Sequence, residues 1–451
     1  MNKHFMRIGR CLDAVRPGNR GRPGVVECSR GTLTSRYRLH TMKAIAAEAR
    51  IGRVAGGQEG GAKPQIAIAR SEAEKQAIYR FRFRIFVDEL KQTIADADYG
   101  AKTVFDGLDE TAVHLYMTAK GKIIAAIRLN LGKLTPVPSH LYQAYALDRF
   151  TAFPAEQISF TGHLAIDPQW QAGSVPAVLL GATYKLARQQ GIRFDFCHCA
   201  PSFVGLYEHL GYRRYTDNFV DRTAGYQVPL VLLSEDVDHL KKSGSPFYKL
   251  ALQHKNTAKT TVWFSREFPD AASGASGARM SDEDFWKMLT QKLQQIPLVS
   301  IPLLKGLEYD QAKRFLNVGT VLKVKAGDAI VRRGDIGNEM FVVLAGAVEV
   351  RGDFGNGEVV LANLGQGDVF GELAFLTEQP RTANVVAVSD TEVMVLTQKF
   401  FEQVMDKLPA ITSKVLFNLC LILCERLKTS TDKWMQAVSD QRDDGERKLA
   451  S

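Results

Sequence analysis

The 451-residue chain reads as an α+β protein built in two unlike halves. Three observations predict this. Between residues 65 and 235, strand-like and helix-like runs alternate, an antiparallel hairpin first and β-α-β-α-β later, which implies a mixed sheet with helices on its faces. Between 298 and 410, runs of five to eight residues are broken by Gly/Asp turns: Ala326-Gly-Asp328, Arg333-Gly-Asp-Ile-Gly337, Arg351-Gly-Asp-Phe-Gly355 and Gly365-Gln-Gly-Asp368. That spacing predicts a small antiparallel barrel or jelly roll. The length itself suggests two to three domains.

Composition narrows the function classes. The chain is 45% hydrophobic and 24% charged, as in soluble globular proteins. No window of eighteen uncharged apolar residues occurs, so no membrane span is expected. The net charge of +9 sits at one end. Residues 1–64 hold 13 Lys/Arg against 4 Asp/Glu, and the rest holds 45 of each. A neutral body argues against a nucleic-acid partner. Six cysteines with no secretory leader point to a reducing, cytoplasmic setting. Cys197-His198-Cys199 lies on an apolar run and lacks the four ligands of a zinc site. Both thiols are expected to be buried, and no metal is expected.

The elements follow in order. Residues 1–64 are expected to form a basic disordered tail. Residues 65–250 form the first domain. Gln65 to Ala69 alternates as a strand, and Ser71 with Glu74 three residues on is a capping box opening a helix. Lys120-Gly121 marks a hairpin between Val113–Met117 and Ile123–Leu129. Ile158–Ile166, Arg193–Cys199 and Val228–Leu233 read as strands. Val175–Arg188 and Ser202–Leu210 read as helices closed by Gly191 and Gly211. Residues 251–297 read as a linker with a helix, 298–437 as the second domain, and 438–451 as a polar tail. In 399–437, Leu416, Leu419, Leu423 and Leu427 share one helical stripe.

The sharpest motif is Phe370-Gly-Glu-Leu-Ala-Phe-Leu-Thr-Glu-Gln-Pro-Arg-Thr-Ala383. Gly371 permits close backbone approach. Glu372 is an acceptor suited to a sugar hydroxyl, and Arg381 can fork onto phosphate oxygens, worth ~1.5–3 kcal/mol. The plain alternative is that Glu372 and Arg381 pair with each other. The whole string resembles the cyclic nucleotide-binding domain family over residues 298–430. That resemblance implies a β-roll flanked by helices and cAMP or cGMP as ligand. It places Glu372 on the ribose and Arg381 on the cyclic phosphate, beside Thr382 and Ala383. Phe370, Gly371, Leu373 and Ala374 would shape the cradle, and the C-terminal helix would lid the base or form a homodimer seam.

In the first domain, Arg82-Phe-Arg-Ile-Phe86 puts Arg82 and Phe86 one helical turn apart. Asp106 and Asp109 precede a strand carrying His114. The loop Gln171-Ala-Gly-Ser174 leads into a helix, and Leu206-Tyr-Glu-His-Leu-Gly-Tyr212 closes the next. This order resembles the GNAT acyltransferase superfamily, whose counterpart of Tyr207 often protonates the departing thiolate. Its plain alternative is a core tyrosine. Pro176 has no N–H to offer a pyrophosphate, so the donor is either acyl-CoA held differently or a thioester on acyl carrier protein. Arg82, Phe86, Asp106, Asp109 and Ile127-Arg128-Leu129 resemble the autoinducer synthase branch. The ending Gly225–Leu233 with Asp238-His-Leu240 resembles the N-acyl amino acid synthases.

The implied chemistry is aminolysis of a thioester. A carboxylate or histidine takes the amine's proton, with Asp106, Asp109, His114 and His163 as candidates. Arg82 and Arg128 are candidates to hold an acceptor carboxylate, and Gln171 and Ser174 to hold the donor. The plain alternative is that the two acids cap a turn and pair with the two arginines. The resulting expectation is a cyclic-nucleotide-regulated N-acyltransferase acting on a small amine such as an amino acid. Its rivals are a cAMP-regulated protein-lysine acetyltransferase and a non-catalytic nucleotide receptor.

Overall fold

The computed structural model describes residues 64–449, except 91, 93, 95–96, 172–173, 222–223, 273–281, 317–318, 336, 354–356 and 378. The expected basic tail, but for Pro64, lies outside these residues. Among the described residues no helix is long and apolar enough to cross a membrane.

The first half is organised on one eight-stranded sheet. Its strands are β1 (Gln65–Ile68), β2 (Ala112–Ala119), β3 (Lys122–Leu131), β4 (Ile158–Ile166), β5 (Phe194–Cys199), β6 (Arg213–Arg214), β7 (Phe219–Asp221) and β8 (Gly225–Leu233). The order across the sheet is β1-β2-β3-β4-β5-β8-β6, with β7 paired to β8. Only β4 and β5 run parallel, and their register pairs three positions: Ile158 with Phe194, Ser159 with Asp195, Phe160 with Phe196. Beyond Phe160 and Phe196 the two strands continue without pairing to each other. The sheet therefore opens a cleft along its middle.

Local sequence explains the flanking helices. Helix α1 (Glu72–Phe83) starts at the expected capping box: Ser71 accepts the Glu74 N–H, and Glu74 accepts the Ser71 N–H at 2.8 Å. It continues through Arg84–Glu89 as a wider π-type turn, a form frequent at functional sites. Ile78, Tyr79, Phe81 and Ile85 bury against Ala126 and Ala165. A short helix, α2 (Ser139–Ala144), follows the hairpin strands. Helix α3 (Val175–Gln189) lays Leu179, Leu180, Leu186 and Ala187 on the opposite face, over Ile127, Leu129 and Cys197. Helix α4 (Val204–Leu210) brings Tyr207 into that same core.

Asp195 closes the paired end of the cleft. It is buried and accepts Ser159 Oγ at 2.6 Å, Thr161 Oγ1 at 2.7 Å and the Tyr212 hydroxyl at 2.5 Å. Burial raises its carboxyl pKa, and those three hydroxyls work against the rise. Two of the donors come from β4, so the acid pins the two parallel strands where they pair.

The segment 251–297 contributes to both cores. Helix α5 (Lys259–Glu267) buries Phe264 completely, in a cluster with Phe150, Phe194 and Phe196. A fully buried phenylalanine is worth about 1.5–3 kcal/mol. Helix α6 (Asp282–Leu293) buries Leu289 and Leu293 instead among Ile301, Leu304 and Phe315.

The second half is a two-sheet roll. Its strands are β9 (Thr320–Val324), β10 (Ala329–Val331), β11 (Glu339–Ala345), β12 (Val348–Asp353), β13 (Glu358–Leu364), β14 (Val369–Phe370), β15 (Asn384–Ala387) and β16 (Thr391–Thr397). One sheet runs β9-β16-β11-β14 and the other β10-β15-β12-β13, every pair antiparallel. Helices α7 (Tyr309–Leu316), α8 (Glu372–Thr377), α9 (Gln398–Lys407) and α10 (Pro409–Leu449) flank it. The helix α10 continues to Leu449, into the residues expected as a polar tail. Of the leucine stripe, Leu419 is fully buried and Leu416 packs beside it, whereas Leu427 is 69% exposed. The stripe therefore leaves the roll's core partway along the helix. The mixed α/β architecture with a second, antiparallel roll matches the α+β expectation.

Candidate functional site

The acidic and basic side chains singled out in the first half converge around α1, β2, β3 and β4. Arg82 from α1, His114 from β2, Arg128 from β3 and Asp109 from the preceding turn are all buried. Arg82 Nη1 donates to Asp109 Oδ1 at 2.9 Å, and its Nη2 donates to His114 Nδ1 at 3.2 Å. His114 Nε2 then donates to the Asp109 carbonyl at 3.3 Å. Arg128 Nη1 lies 2.5 Å from Asp106 Oδ1 and 3.4 Å from Asp109 Oδ2. The two acids also cap their own turn: Leu108 N–H donates to Asp106, and Asp106 N–H to Asp109. The plain alternative of turn capping and ion pairing is thus what the geometry contains. It accounts for both Nη groups of Arg82, but leaves the Nε of Arg82 and the Nε of Arg128 both buried without a partner.

His163 enters from β4 in a backbone conformation that strands rarely adopt. Its φ is +49°, and the register between β3 and β4 slips there, from Ala126–Ala165 to Arg128–Gly162. This is a β-bulge, which redirects a side chain at a strain cost. It lies on the stretch of β4 that has parted from β5. His163 Nε2 donates to Asp106 Oδ2 at 3.0 Å, so the proton sits on Nε2 and Nδ1 keeps its lone pair. The Phe86 ring centroid is 6.1 Å away. Gly162, beside the bulge, has room for a Cβ 3.6 Å from Arg128 Nη2, so the guanidinium edge faces this strand.

Electrostatics follow from burial and pairing. Burial pushes the Asp106 and Asp109 carboxyls up, but is outweighed: His163 and Arg128 hold Asp106 well below the carboxylate range, and Arg82 and Arg128 do so for Asp109. Burial lowers Arg82, whereas the two acids raise Arg128 despite its burial. Burial, with the arginines, lowers His163 to about 4 and His114 to about 3. Both imidazoles are neutral at pH 7. Asp106, Asp109 and His163 place ligand atoms within 4.8 Å of one another. The same carboxylates already face two guanidiniums, so we read an ion network rather than a metal centre.

These histidines make stability pH-dependent. His198 and His239 are likewise lowered to about 4 by burial. A histidine whose folded pKa lies below its unfolded value contributes stability that is full above about 6.5 and lost as pH falls toward 4. We expect histidine nitrogen NMR to show His114 and His163 uncharged at pH 6. The melting temperature should decline between pH 6.5 and 4, offset in part by Asp195 and Glu208, whose buried carboxyls are shifted up.

The other candidates lie elsewhere. Tyr207 stands apart from the charged network, among Cys197, Cys199 and Tyr212, and burial raises its hydroxyl pKa well above 10. Gln171 Nε2 donates to the Ile166 carbonyl at 3.2 Å. Ser174 precedes α3 without a capping bond from its side chain. Sequence reasoning missed His198. It lies on the parted stretch of β5, and its Nδ1 is 2.8 Å from the Tyr145 hydroxyl. The signal was alternation, which sets His198 on the face opposite Cys197 and Cys199.

In the roll, Arg381 is only 5% exposed. Its Nη1 donates to the carbonyls of Glu339 (2.8 Å) and Gly371 (2.9 Å), and its Nη2 is 3.2 Å from Glu339 Oε1. Gly371 has φ +79°, and a Cβ there would lie 2.8 Å from Arg381 Nη1, so glycine is required twice over. Phe370 stacks on Phe341 at 4.8 Å. Glu372 does not pair with Arg381. Its partner is Arg426 of α10, 3.0 Å away, which also donates to the Val369 carbonyl. Ala374 is buried, Leu373 is 44% exposed, Thr382 is exposed and Ala383 half-buried.

The described residues thus hold a mixed sheet whose parallel pair is joined over three positions only, followed by an antiparallel roll with a buried arginine and glutamate. Residues 77–236 match the family model described as N-acyl amino acid synthase FeeM, and residues 321–407 that of the cyclic nucleotide-binding domain. The chain thus carries an N-acyl amino acid synthase domain followed by a cyclic nucleotide-binding domain. Among curated proteins, the cyclic AMP receptor protein of Thermus thermophilus is 33% identical over 128 residues, 28% of this chain and 57% of that protein. The cAMP-dependent protein kinase regulatory subunit of Mycosarcoma maydis is 30% identical over 122 residues, 26% and 23% of the respective chains. The alignment thus spans less than two thirds of either relative. The crystal structure of the Thermus thermophilus catabolite activator protein is 32% identical, covering 31% of this chain and 63% of that one, with a TM-score of 0.28.

Proposed function

We propose that the chain is a cyclic-nucleotide-regulated N-acyltransferase, moving a long-chain acyl group from a thioester to the amine of an amino acid. The observation that carries this is His163: a neutral imidazole, oriented by Asp106, on a bulge where β4 and β5 part. The parted parallel strands resemble the GNAT arrangement. In this reading His163 Nδ1 takes the proton from the attacking amine as the C–N bond forms. Strand N–H groups beside the bulge receive the oxyanion. The C–S bond then breaks, and Tyr207, kept protonated by burial, returns a proton to the thiolate. Arg128, whose Nη2 edge faces Gly162 on β4, holds the acceptor carboxylate, while Arg82, with both Nη groups on Asp109 and His114, serves to brace Asp109. Acyl carrier protein or coenzyme A carries the donor, near Gln171, Ser174 and Phe86.

The roll takes cAMP or cGMP, with Arg381 on the phosphate and Glu372 on the ribose. A ribose hydroxyl that claims Glu372 exchanges with Arg426, so ligand entry releases a contact of α10. Self-association through α10, which exposes Phe417, Leu421, Leu427 and Trp434, belongs to the same reading. Arg381→Ala should weaken nucleotide binding roughly 10- to 150-fold, the equivalent of ~1.5–3 kcal/mol, as read by calorimetry.

The test of the whole reading is mass analysis of products. The full chain is incubated with acyl-carrier-protein and acyl-CoA donors of several lengths and an amino-acid pool, with and without each nucleotide. A long-chain N-acyl amino acid whose yield tracks nucleotide is the expected result. Turnover of acetyl-CoA alone onto protein lysines, or no product with nucleotide bound, overturns it.

A further inference from the structure

The roll meets the acyltransferase sheet along several segments, and the short strand β7 is one of them. Arg332, in the turn after β10, donates from Nη1 to the Asp221 carbonyl at the end of β7, at 3.0 Å. Neighbouring contacts join the same surfaces: Asn218 Nδ2 to the Lys323 carbonyl at 2.8 Å, and Arg214 Nη1 to the Val321 carbonyl at 2.5 Å. Gly225, at the start of β8, lies so close to the turn that a Cβ would stand 2.8 Å from Asp335 Oδ2.

The turn Arg332–Asp335 is tied in its other direction to Arg381. The Gly334 N–H donates to the Arg381 carbonyl, and the Arg381 N–H to the Asp335 carbonyl, each at 2.8 Å. A group that draws on the Arg381 guanidinium thus pulls on the segment that holds β7. At the far end of β7, the Phe219 ring packs edge-on against His198, with centroids 5.4 Å apart. His198 is fixed by Tyr145, whose ring lies against Phe160 and Phe196 where β4 and β5 begin to part.

We propose that β7 is the relay between the two sites: nucleotide on Arg381 shifts the Arg332–Asp335 turn, Arg332 carries that shift to Asp221, and Phe219 passes it to His198 on the β5 arm of the cleft. The relay rests on the acyltransferase and nucleotide readings above, and it names how they communicate. His198 acts here as a positioning residue. Contiguity alone does not establish coupling, so the test measures coupling.

Binding of cAMP and cGMP to the full chain is measured first by calorimetry, so that failure of the ligand reading shows itself separately and takes the relay with it. Hydrogen exchange of the 219–231 amides is then followed with and without the bound nucleotide. In wild type, bound nucleotide should change their exchange rates by several fold. In Arg332→Ala and the milder Arg332→Lys, nucleotide should still bind within about threefold, while that response disappears. Phe219→Leu should keep the exchange response but lose the rate response. Typical couplings amount to about 5- to 150-fold, and in this variant the nucleotide effect on acyl transfer should fall below about twofold. The exchange readout does not need turnover, so it decides the relay even if no acyl transfer is found. An unchanged exchange pattern in nucleotide-bound wild type, or a full response in both Arg332 variants, overturns the relay.

Discussion

Asp109→Ala should destabilise the first half by about 3–5 kcal/mol, the cost of removing one partner from a buried charge pair. For a domain of this size that lowers the melting temperature by roughly 6–20 °C, measured by calorimetry or circular dichroism. Asp109 is fully buried and faces two guanidiniums, Arg82 at 2.9 Å and Arg128 at 3.4 Å. Without it, Arg82 stays out of water and loses the carboxylate it pairs with, Arg128 keeps Asp106, and the Asp106 N–H loses its acceptor. Asp109→Asn keeps an acceptor and the volume, so its loss should be smaller. Pairing Asp109→Asn with Arg82→Met removes charge of both signs. The double variant should then lie closer to wild type than the sum of the singles. A drop under 1 kcal/mol for Asp109→Ala would show that the network is hydrated and that its apparent burial carries little energy.

Local chemistry was legible where a few adjacent residues decide the outcome. Ser71 and Glu74 specify a helix start because each satisfies a backbone N–H of the other's turn. Lys120-Gly121 specifies a hairpin because both residues take positive φ. The cassette at 370–383 was legible because glycine, acid and arginine stand at fixed offsets. Partners distant in sequence were not. Glu372 meets Arg426, 54 residues on, and Arg381 meets Glu339, 42 residues back. Neither spacing has a local signature. Arg82, Arg128, Asp106 and Asp109, each a candidate in the sequence, come together in the structure. Which acid takes which arginine depends on the register of β2, β3 and α1, which no single segment contains. The bulge at His163 left no trace either, since nothing beside a histidine announces a left-handed conformation within a strand. The segment 251–297 was misleading in a different way. Its Ser/Gly/Ala-rich centre suggested a connector, while Trp263, Phe264 and Phe268 on either side of α5's end pack into the aromatic core.

Replacing His163 by alanine should lower the acyl-transfer rate by about 10²–10⁴-fold, the range for loss of a positioned general base. The backbone allows this effect to be separated from a structural one. His163 holds φ +49°, which strains any residue but glycine by roughly 1–2 kcal/mol. His163→Gly relieves that strain, so it should be more stable than His163→Ala while remaining equally slow. If the side chain were there only to brace Asp106, the two variants would differ in rate as they differ in stability. Added imidazole should restore part of the rate to His163→Gly, because deleting the side chain leaves space beside Asp106. In the wild type, the base form persists down to about pH 4. The kcat profile should therefore stay flat across pH 6–8 with no limb near 6.5. A rate within threefold of wild type for His163→Ala would sink the general-base assignment and move the proton's destination to Asp106 or to solvent.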